Sequence, residues 1–325
     1  MGKLGVLAIV LALAALGAAT AVHAQTDFPS RRIHVVLPYP AGGIVDIVTR
    51  VVTDKLAADW GQPIVVEPKP GANGNLAWAQ VARAEPDGYT WTFFGPGTIA
   101  NPRMQPSVKW SEDSFVVVGG VVWAPSVVVV NPSVPASTVA ELIAHAKKNP
   151  GVLNWVNPSV GASQHLNTAI FIHATKVEMV AVSYRGQPPG ILDLLANRVH
   201  FMIASPGLVS EHIAAGTLRP LAILGTKRSP QLPTVPTMTE AGYPEINVVA
   251  WYGYAVPRGT PQPVVERIAA GFNAALKDRG VREALEKQQL QVMDPLSPVQ
   301  MAAQMAADVE TYARVIRDAN IRLGE

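Results

Sequence analysis

The sequence predicts an α/β protein of two lobes joined by two long strands. Strand-like and helix-like stretches alternate along most of the chain. Two β-branched or apolar runs, 114–132 and 247–257, bracket a second strand–helix series. Glycine-bearing turns recur where strands give way to helices, as a sheet flanked by helices requires.

In chain order, Met1–Lys3 carries a positive charge, 4–20 is an unbroken Ala/Leu/Val/Gly run, and "AVHA" closes it with small residues. That layout is a secretory signal peptide over 1–24, cleaved after Ala24. The run is nearly long enough to span a bilayer, but polar "QTDFPSRR" follows at once. No later stretch stays apolar and uncharged long enough to span. The chain has no cysteine, which excludes a disulfide framework, a thiolate metal site, a cysteine nucleophile and a lipoprotein anchor. An exported, unanchored, soluble chain fits a periplasm. The formal charge of +2 is spread along the chain, unlike the clustered basic face of a nucleic-acid binder. The 28 prolines fall at element boundaries, which argues against a disordered linker.

"RRIHVVLPY" reads as a buried strand and "IVDIVTRVVTDKLAADWG" as an amphipathic helix closed by Gly61. "QPIVVEPK" is a second strand, "NLAWAQVARAEPDG" a helix ending at Asp87-Gly88, and "YTWTFFG" a third strand. Such repeats predict a parallel sheet with helices on both faces. The 114–132 run, split by Ala-Pro, is too long for one ordinary strand and carries the chain into a second lobe. There, helix "TVAELIAHAKKNPG", strand "VLNWVN", helix "QHLNTAIFIHAT", strand "VEMVAVSY", helix "GILDLLANR" and strand "VHFMIAS" follow. A strand at "LRPLAIL" leads into a Pro/Thr-rich loop, and "NVVAWYGYAVP" returns the chain. Helices fill the C-terminus. The expected division is 25–125 with 255–325 in lobe 1, and 126–254 in lobe 2. A cleft between such lobes is a natural small-ligand site.

In a parallel α/β sheet, ligands bind beyond the carboxyl ends of strands. Gly42 and Gly43 lie there, before a helix whose first turn offers unpaired N–H groups and a positive dipole end. Asp46, in that turn, either stabilises the helix start or holds a ligand or its water. The layout recurs at "NPSVGASQHL" with Gly161 and Ser163, at "SYRGQPPGIL" with Arg185 and Gly186, and at "FFGPGT" with Gly97 and Thr98. Donor-rich loops from both lobes suit a carboxylate. Enzyme signatures are missing: there is no Gly-x-Ser-x-Gly elbow, His-Glu-x-x-His helix or Walker motif. Ser163 and His165 lie two apart, where helix neighbours do not face each other. His165 and His173, two turns apart, are too distant for one metal on a straight helix. Trp91, Trp123, Trp155 and Trp251 fall in strands; most read as core, and one near a strand end would line an aromatic pocket.

"FPSRRIHVVLPYPAGGIVDIVTR", "IVVEPKPGANGNLAWAQVARAEPDGYT", "VSYRGQPPGILDLLANRVHFM", "LAILGTKRSPQLPTVPTMTEAGYP" and "WYGYAVPRGTPQPVVERI" resemble, in order and spacing, the Bug family. These are periplasmic solute-binding receptors of tripartite tricarboxylate transporters, and the resemblance covers essentially all of the mature chain. It implies a Venus-flytrap receptor (type II-like, with a two-strand hinge) that captures an organic carboxylate and hands it to membrane permease subunits, without catalysis, metal or cofactor. It implies ligand contacts from Tyr39, Ala41, Gly42, Gly43 and Asp46 in one lobe, and from Gly161, Ala162, Ser163, His165, Tyr184, Arg185 and Gly186 in the other. The strand-end loops add Gly97, Thr98 and Ser205 to the candidates. Two departures stand out: arginine replaces the family's usual lysine at 185, and Ala204-Ser205 replaces a frequent acidic residue. Without that acid an amino-acid ligand, whose ammonium wants a carboxylate, is disfavoured. The solute is expected to be a di- or tricarboxylate or an aromatic acid, the receptor a monomer. An exported hydrolase or transferase on the same scaffold, or a ligand-sensing partner of a signalling receptor, are the alternatives.

Overall fold

A computed structural model describes residues 28–105, 107–184, 186–318 and 321. The expected signal peptide and its cleavage site lie outside the described residues. Two sheets organise the chain. The first has strand order β11-β4-β10-β3-β1-β2 and the second β7-β6-β8-β5-β9.

The first lobe begins with β1 (Ile33–Leu37), helix α1 (Ile44–Trp60), β2 (Ile64–Pro68), α2 (Asn75–Val81), β3 (Thr90–Phe94) and α3 (Pro96–Met104). β1 pairs in parallel with β2 and β3, as expected of β-α-β units. Gly61 ends α1 at φ 63°, a left-handed C-cap. Helix α2 is shorter than the sequence suggests: it stops at Val81, and tightened turns, Arg83 N–H to Gln80 and Ala84 N–H to Val81, run toward Pro86.

β4 (Phe115–Ala124) and β5 (Ser126–Val130) are one crossing interrupted by Pro125, with β4 in the first sheet and β5 in the second. Then come α4 (Val139–Lys148), β6 (Asn154–Asn157), α5 (Ser163–Thr175), β7 (Val180–Ser183), α6 (Gln187–Leu195), β8 (Phe201–Ala204), α7 (Pro206–Ala214) and β9 (Arg219–Leu224). β10 (Ala250–Pro257) returns to the first sheet, followed by α8 (Gln262–Ala275), α9 (Arg279–Lys287), β11 (Gln291–Val292) and α10 (Pro298–Asp318).

The sheets are mixed rather than purely parallel. β10 runs antiparallel to β3 and β4, and β5 antiparallel to β8 and β9, because the crossing strands enter each sheet from the opposite end. β5 shows how period-2 side chains make a two-faced core. Val128 and Val130 pack with Phe201 and Ile203 on one face; Val127 and Val129 pack with Met202 and Ala204 on the other. Where β4 and β10 meet, a Cβ on Gly253 would lie 2.3 Å from the Gly119 carbonyl oxygen, so only glycine allows that approach. Helix α10 lies on both lobes: Tyr312 and Ile316 join the core of the first, Val315 that of the second. Among the described residues, no helix is long and apolar enough to cross a membrane.

Candidate ligand cleft

Four strand ends feed four helices whose first turns face one another across the lobes. Strands β1 and β3 lead to α1 and α3; β6 and β7 lead to α5 and α6. The residues before these helices are Gly43, Gly95, Ala162 and Gly186, and none provides a side-chain cap. A helix start without such a cap leaves its first N–H groups for solvent or a ligand.

Those first turns line a cavity of about 450 Å³, with Gly43, Ile44 and Val45 from α1, Pro96 and Gly97 from α3, Ala162, Ser163 and Gln164 from α5, and Gln187 and Pro188 from α6. Its wall is aromatic, formed by Tyr39, Phe93 and Tyr252; Phe93 packs edge-on to Tyr39 at 5.7 Å and to Tyr252 at 5.2 Å. A second compartment of about 520 Å³ adjoins it, sharing Tyr39, Pro40, Ala162, Gln164 and Gln187 and adding Asn73, Asn157, Pro158, Ser159, Val160, Ser183, Tyr184 and Gly186. Neither lining contains a lysine, arginine, histidine, aspartate or glutamate among the described residues. What the described lining offers an anion is therefore the N–H groups and positive dipole ends of its helix starts. The four helices are not equal donors: Pro96 opens α3, and Pro188 and Pro189 occupy the first turn of α6, so these lack N–H groups. Helices α1 and α5, one from each lobe, keep full sets.

The two tyrosines at the wall are neutral donors. Burial, and then the neighbouring Tyr252, push the Tyr39 phenol well above its ordinary range. Burial raises Tyr252 as well, against the opposing effect of a hydrogen bond with the Ser163 hydroxyl.

Of the residues singled out from sequence, Tyr39, Ala41, Gly42, Gly43, Gly97, Ala162 and Ser163 line the first compartment, and Tyr184 and Gly186 the second. Asp46, Thr98, Gly161, His165 and Ser205 stand behind the lining and brace it. The Gly42 N–H donates to Asp46 Oδ2 at 2.9 Å, and Arg50 pairs with Asp46 Oδ1 at 3.0 Å. The Gly42 amide is thus spent inside the loop. Although burial opposes it, the Arg50 and Gly42 hydrogen bonds hold the Asp46 carboxyl below its usual range. Thr98 Oγ1 accepts the Gly95 N–H at 3.3 Å. His165 Nδ1 accepts the Gly161 N–H at 3.3 Å, and burial pushes this imidazole down to about 4, so it is neutral at pH 7. Arg185 lies outside the described residues.

Ser205 organises two side chains the sequence reading missed. Its Oγ accepts from Gln164 Nε2 at 3.2 Å and Gln187 Nε2 at 2.9 Å, and its N–H donates to Gln187 Oε1 at 2.8 Å. Both glutamines sit in the first turn of a helix after a glycine-bearing loop, the same rule that singled out Ser163. The tryptophans do not line the cleft: Trp78, Trp91 and Trp251 are fully buried core, and Trp155 is buried beside His165. No group of three or more His, Asp or Glu among the described residues could hold a metal ion.

The family model described as "Tripartite tricarboxylate transporter family receptor" matches residues 48–321. The chain is 32% identical to protein BugT of Bordetella pertussis over 314 residues, 96% of each chain. A solved R. palustris protein with adipate is 31% identical with a TM-score of 0.80, the match covering 91% of this chain and 99% of that one. MatC from Rhodopseudomonas palustris, with bound malate, is 29% identical with a TM-score of 0.78, covering 89% and 100%.

Proposed function

The chain belongs to the tripartite tricarboxylate transporter receptor family, the Bug proteins, and from that premise we propose that it captures an organic carboxylate between the first turns of α1 and α5. The observation that carries this reading is the pair of uncapped helix starts, one from each lobe, lining a single cavity that has no ionised side chain among the described residues. A carboxylate placed there accepts N–H groups from both lobes, so ligand binding and lobe closure are the same event. Three or four charge-assisted hydrogen bonds, at about 1.5–3 kcal/mol each, bracket the roughly 8 kcal/mol of a micromolar complex.

The apolar wall of Tyr39, Phe93, Ile44 and Val45 suits a solute with a carbon body behind its carboxylate. The relatives solved with adipate and with malate support that class. Among the described residues no acidic side chain lines either compartment to receive an ammonium, which weighs against amino acids. Catalysis is disfavoured by the geometry of the Ser163 and His165 pair at the cleft. The Ser163 hydroxyl donates to Gln164 Oε1 at 3.2 Å, and His165 is turned to Gly161. The receptor works as an exported monomer, cleaved after Ala24, that delivers its solute to permease subunits in the membrane. Mass spectrometry of the periplasmic protein would then give a chain starting at Gln25.

Calorimetric titration with aliphatic and aromatic acids, each beside its methyl ester, tests the carboxylate reading. An acid that binds with micromolar Kd while its ester does not is the expected result. Equal binding of acid and ester would sink it.

A further inference from the structure

Another cavity spans the lobes, across the crossing strands from the cleft. In the first sheet β11 and β4 stand on one side of β10, while β3 and β1, which feed the cleft, stand on the other. In the second sheet β9 flanks the crossing strand β5 on one side, and β8, β6 and β7 lie on the other. Between the two outer edges lies a cavity of about 340 Å³, lined by Pro125 at the break between β4 and β5. Arg282 and Glu286 of α9 and Gln291 of β11 form its lobe 1 wall; Lys227 and Ser229, just past β9, belong to lobe 2. The edges touch here: Thr226 Oγ1 donates to Gln291 Oε1 at 2.9 Å, and Gln289 Nε2 to Ser210 Oγ at 2.9 Å. Each wall brings a cation, Lys227 from one lobe and Arg282 from the other. Among the described residues Glu286 is the one carboxylate in the lining, and its Oε1 lies 3.9 Å from Arg282 Nη2, beyond hydrogen-bond distance. The lining therefore keeps a net positive charge.

We propose that this hinge cavity is an effector site for a compact multivalent anion of the phosphate type, and that the bound anion favours the closed cleft. Two cations brought to one cavity repel each other. An anion between them exchanges that repulsion for two attractions, which last only while both walls are in place. The hinge sets the direction of the effect. Rotation about the crossing strands that opens the cleft drives the outer edges together, so a filled cavity resists opening. Anion and solute are then coupled through the lobe arrangement, and each tightens the other by the same factor. The site goes beyond the carboxylate reading and uses none of the cleft residues.

Inorganic phosphate, titrated calorimetrically into the purified protein at pH 7.5, tests the site. The tightest acid of the panel is then titrated in saturating phosphate and in sodium chloride of equal ionic strength. Saturable phosphate binding, and acid binding about fivefold or more tighter in phosphate, are the expected results. Lys227→Gln/Arg282→Gln, shown folded by its melting curve, should lose both while binding the acid in chloride as wild type does. Arg282 Nη1 also donates to the Leu276 carbonyl at 3.2 Å, so if that variant fails to fold, Lys227→Gln alone, at an exposed side chain, makes the same test. Phosphate that does not bind, that binds the folded variant equally well, or that leaves acid affinity unchanged overturns the proposal and leaves the carboxylate reading intact. Phosphate that weakens acid binding overturns it too, since that marks a competitor in the cleft. If no acid binds, the carboxylate reading fails by itself, and small-angle scattering reads closure instead: phosphate should shrink the radius of gyration of wild type and not of the variant, and an unchanged radius overturns the proposal.

Discussion

Substituting Gly161 by alanine separates the strain of a loop from the closing of the cleft. Gly161 adopts φ +82°, and a Cβ there would lie 2.6 Å from Asn101 Oδ1 and 2.8 Å from Met104 Cε. Asn101 and Met104 belong to α3 of the first lobe, and Gly161 to the β6–α5 loop of the second. The backbone conformation costs alanine about 1–2 kcal/mol, whether the lobes are together or apart, so it lowers melting temperature without touching affinity. The collision across the lobes exists only when they meet. Overpacking of that kind costs about 1–3 kcal/mol, which weakens binding by about 5- to 150-fold. Asn101 has little room to yield, because its Nδ2 donates to the Asn73 carbonyl at 2.7 Å. Calorimetry on Gly161→Ala with the tightest acid of the panel measures the loss. The double variant Gly161→Ala/Asn101→Ala should recover most of it, as a coupled pair would. A Kd within twofold of wild type, alongside a lowered melting temperature, would refute the assignment of this contact to closure.

Asp46→Asn keeps one acceptor for the Gly42 N–H but loses the Arg50 pair; denaturant titration should show a loss of about 1 kcal/mol, with weaker acid binding because the loop is less fixed. His165 and Asp308 give opposing pH dependences. Burial lowers His165 from 6.5 to about 4, so its contribution to stability is present above pH 6.5 and is lost on acidification; burial raises Asp308 from 3.8 to about 6, so its contribution is present at low pH and is lost as pH rises through 6. Each shift corresponds to about 3 kcal/mol, and wild-type stability should be nearly flat between pH 5 and 6.5. Asp308→Asn, which still accepts the Trp251 Nε1–H, should be more stable at pH 7.5 and should lose stability steadily below pH 6.5 in urea titrations; a wild-type profile unchanged by the substitution would contradict this. Gly253→Ala forces a Cβ against the Gly119 carbonyl and should cost at least about 2 kcal/mol in the same assay.

The strand–helix alternation, the two crossings between lobes and the glycine loops were legible because each has a local signature: β-branched runs, a helical period, glycine at a strand end. Helices α3 and α7 were not. "PGTIANPRM" holds two prolines and a glycine, and Ile99, Ala100, Asn101 and Met104 are all buried, so no polar face marks a period. The antiparallel entry of β5 and β10 depends on which sheet a strand joins, which no local pattern encodes. Among the candidate ligand residues, sequence identified loops but not the facing of their groups. Glycine at 42 suggested an amide offered to a ligand, whereas that amide is bonded to Asp46 and the open donors lie one step later, at the start of α1. Gln164 and Gln187 escaped notice because their partner, Ser205, is distant in sequence and meets them only in the folded lobe.

The central claim, a carboxylate held between the first turns of α1 and α5, is tested most directly by amide NMR of the ¹⁵N-labelled protein titrated with the tightest acid of the panel. Saturable shifts concentrated at the N–H groups of Ile44, Val45, Ser163 and Gln164, and absent with the methyl ester, are the predicted result. Shifts centred instead on the cavity lined by Lys227, Arg282 and Gln291, with the starts of α1 and α5 unmoved, would contradict it.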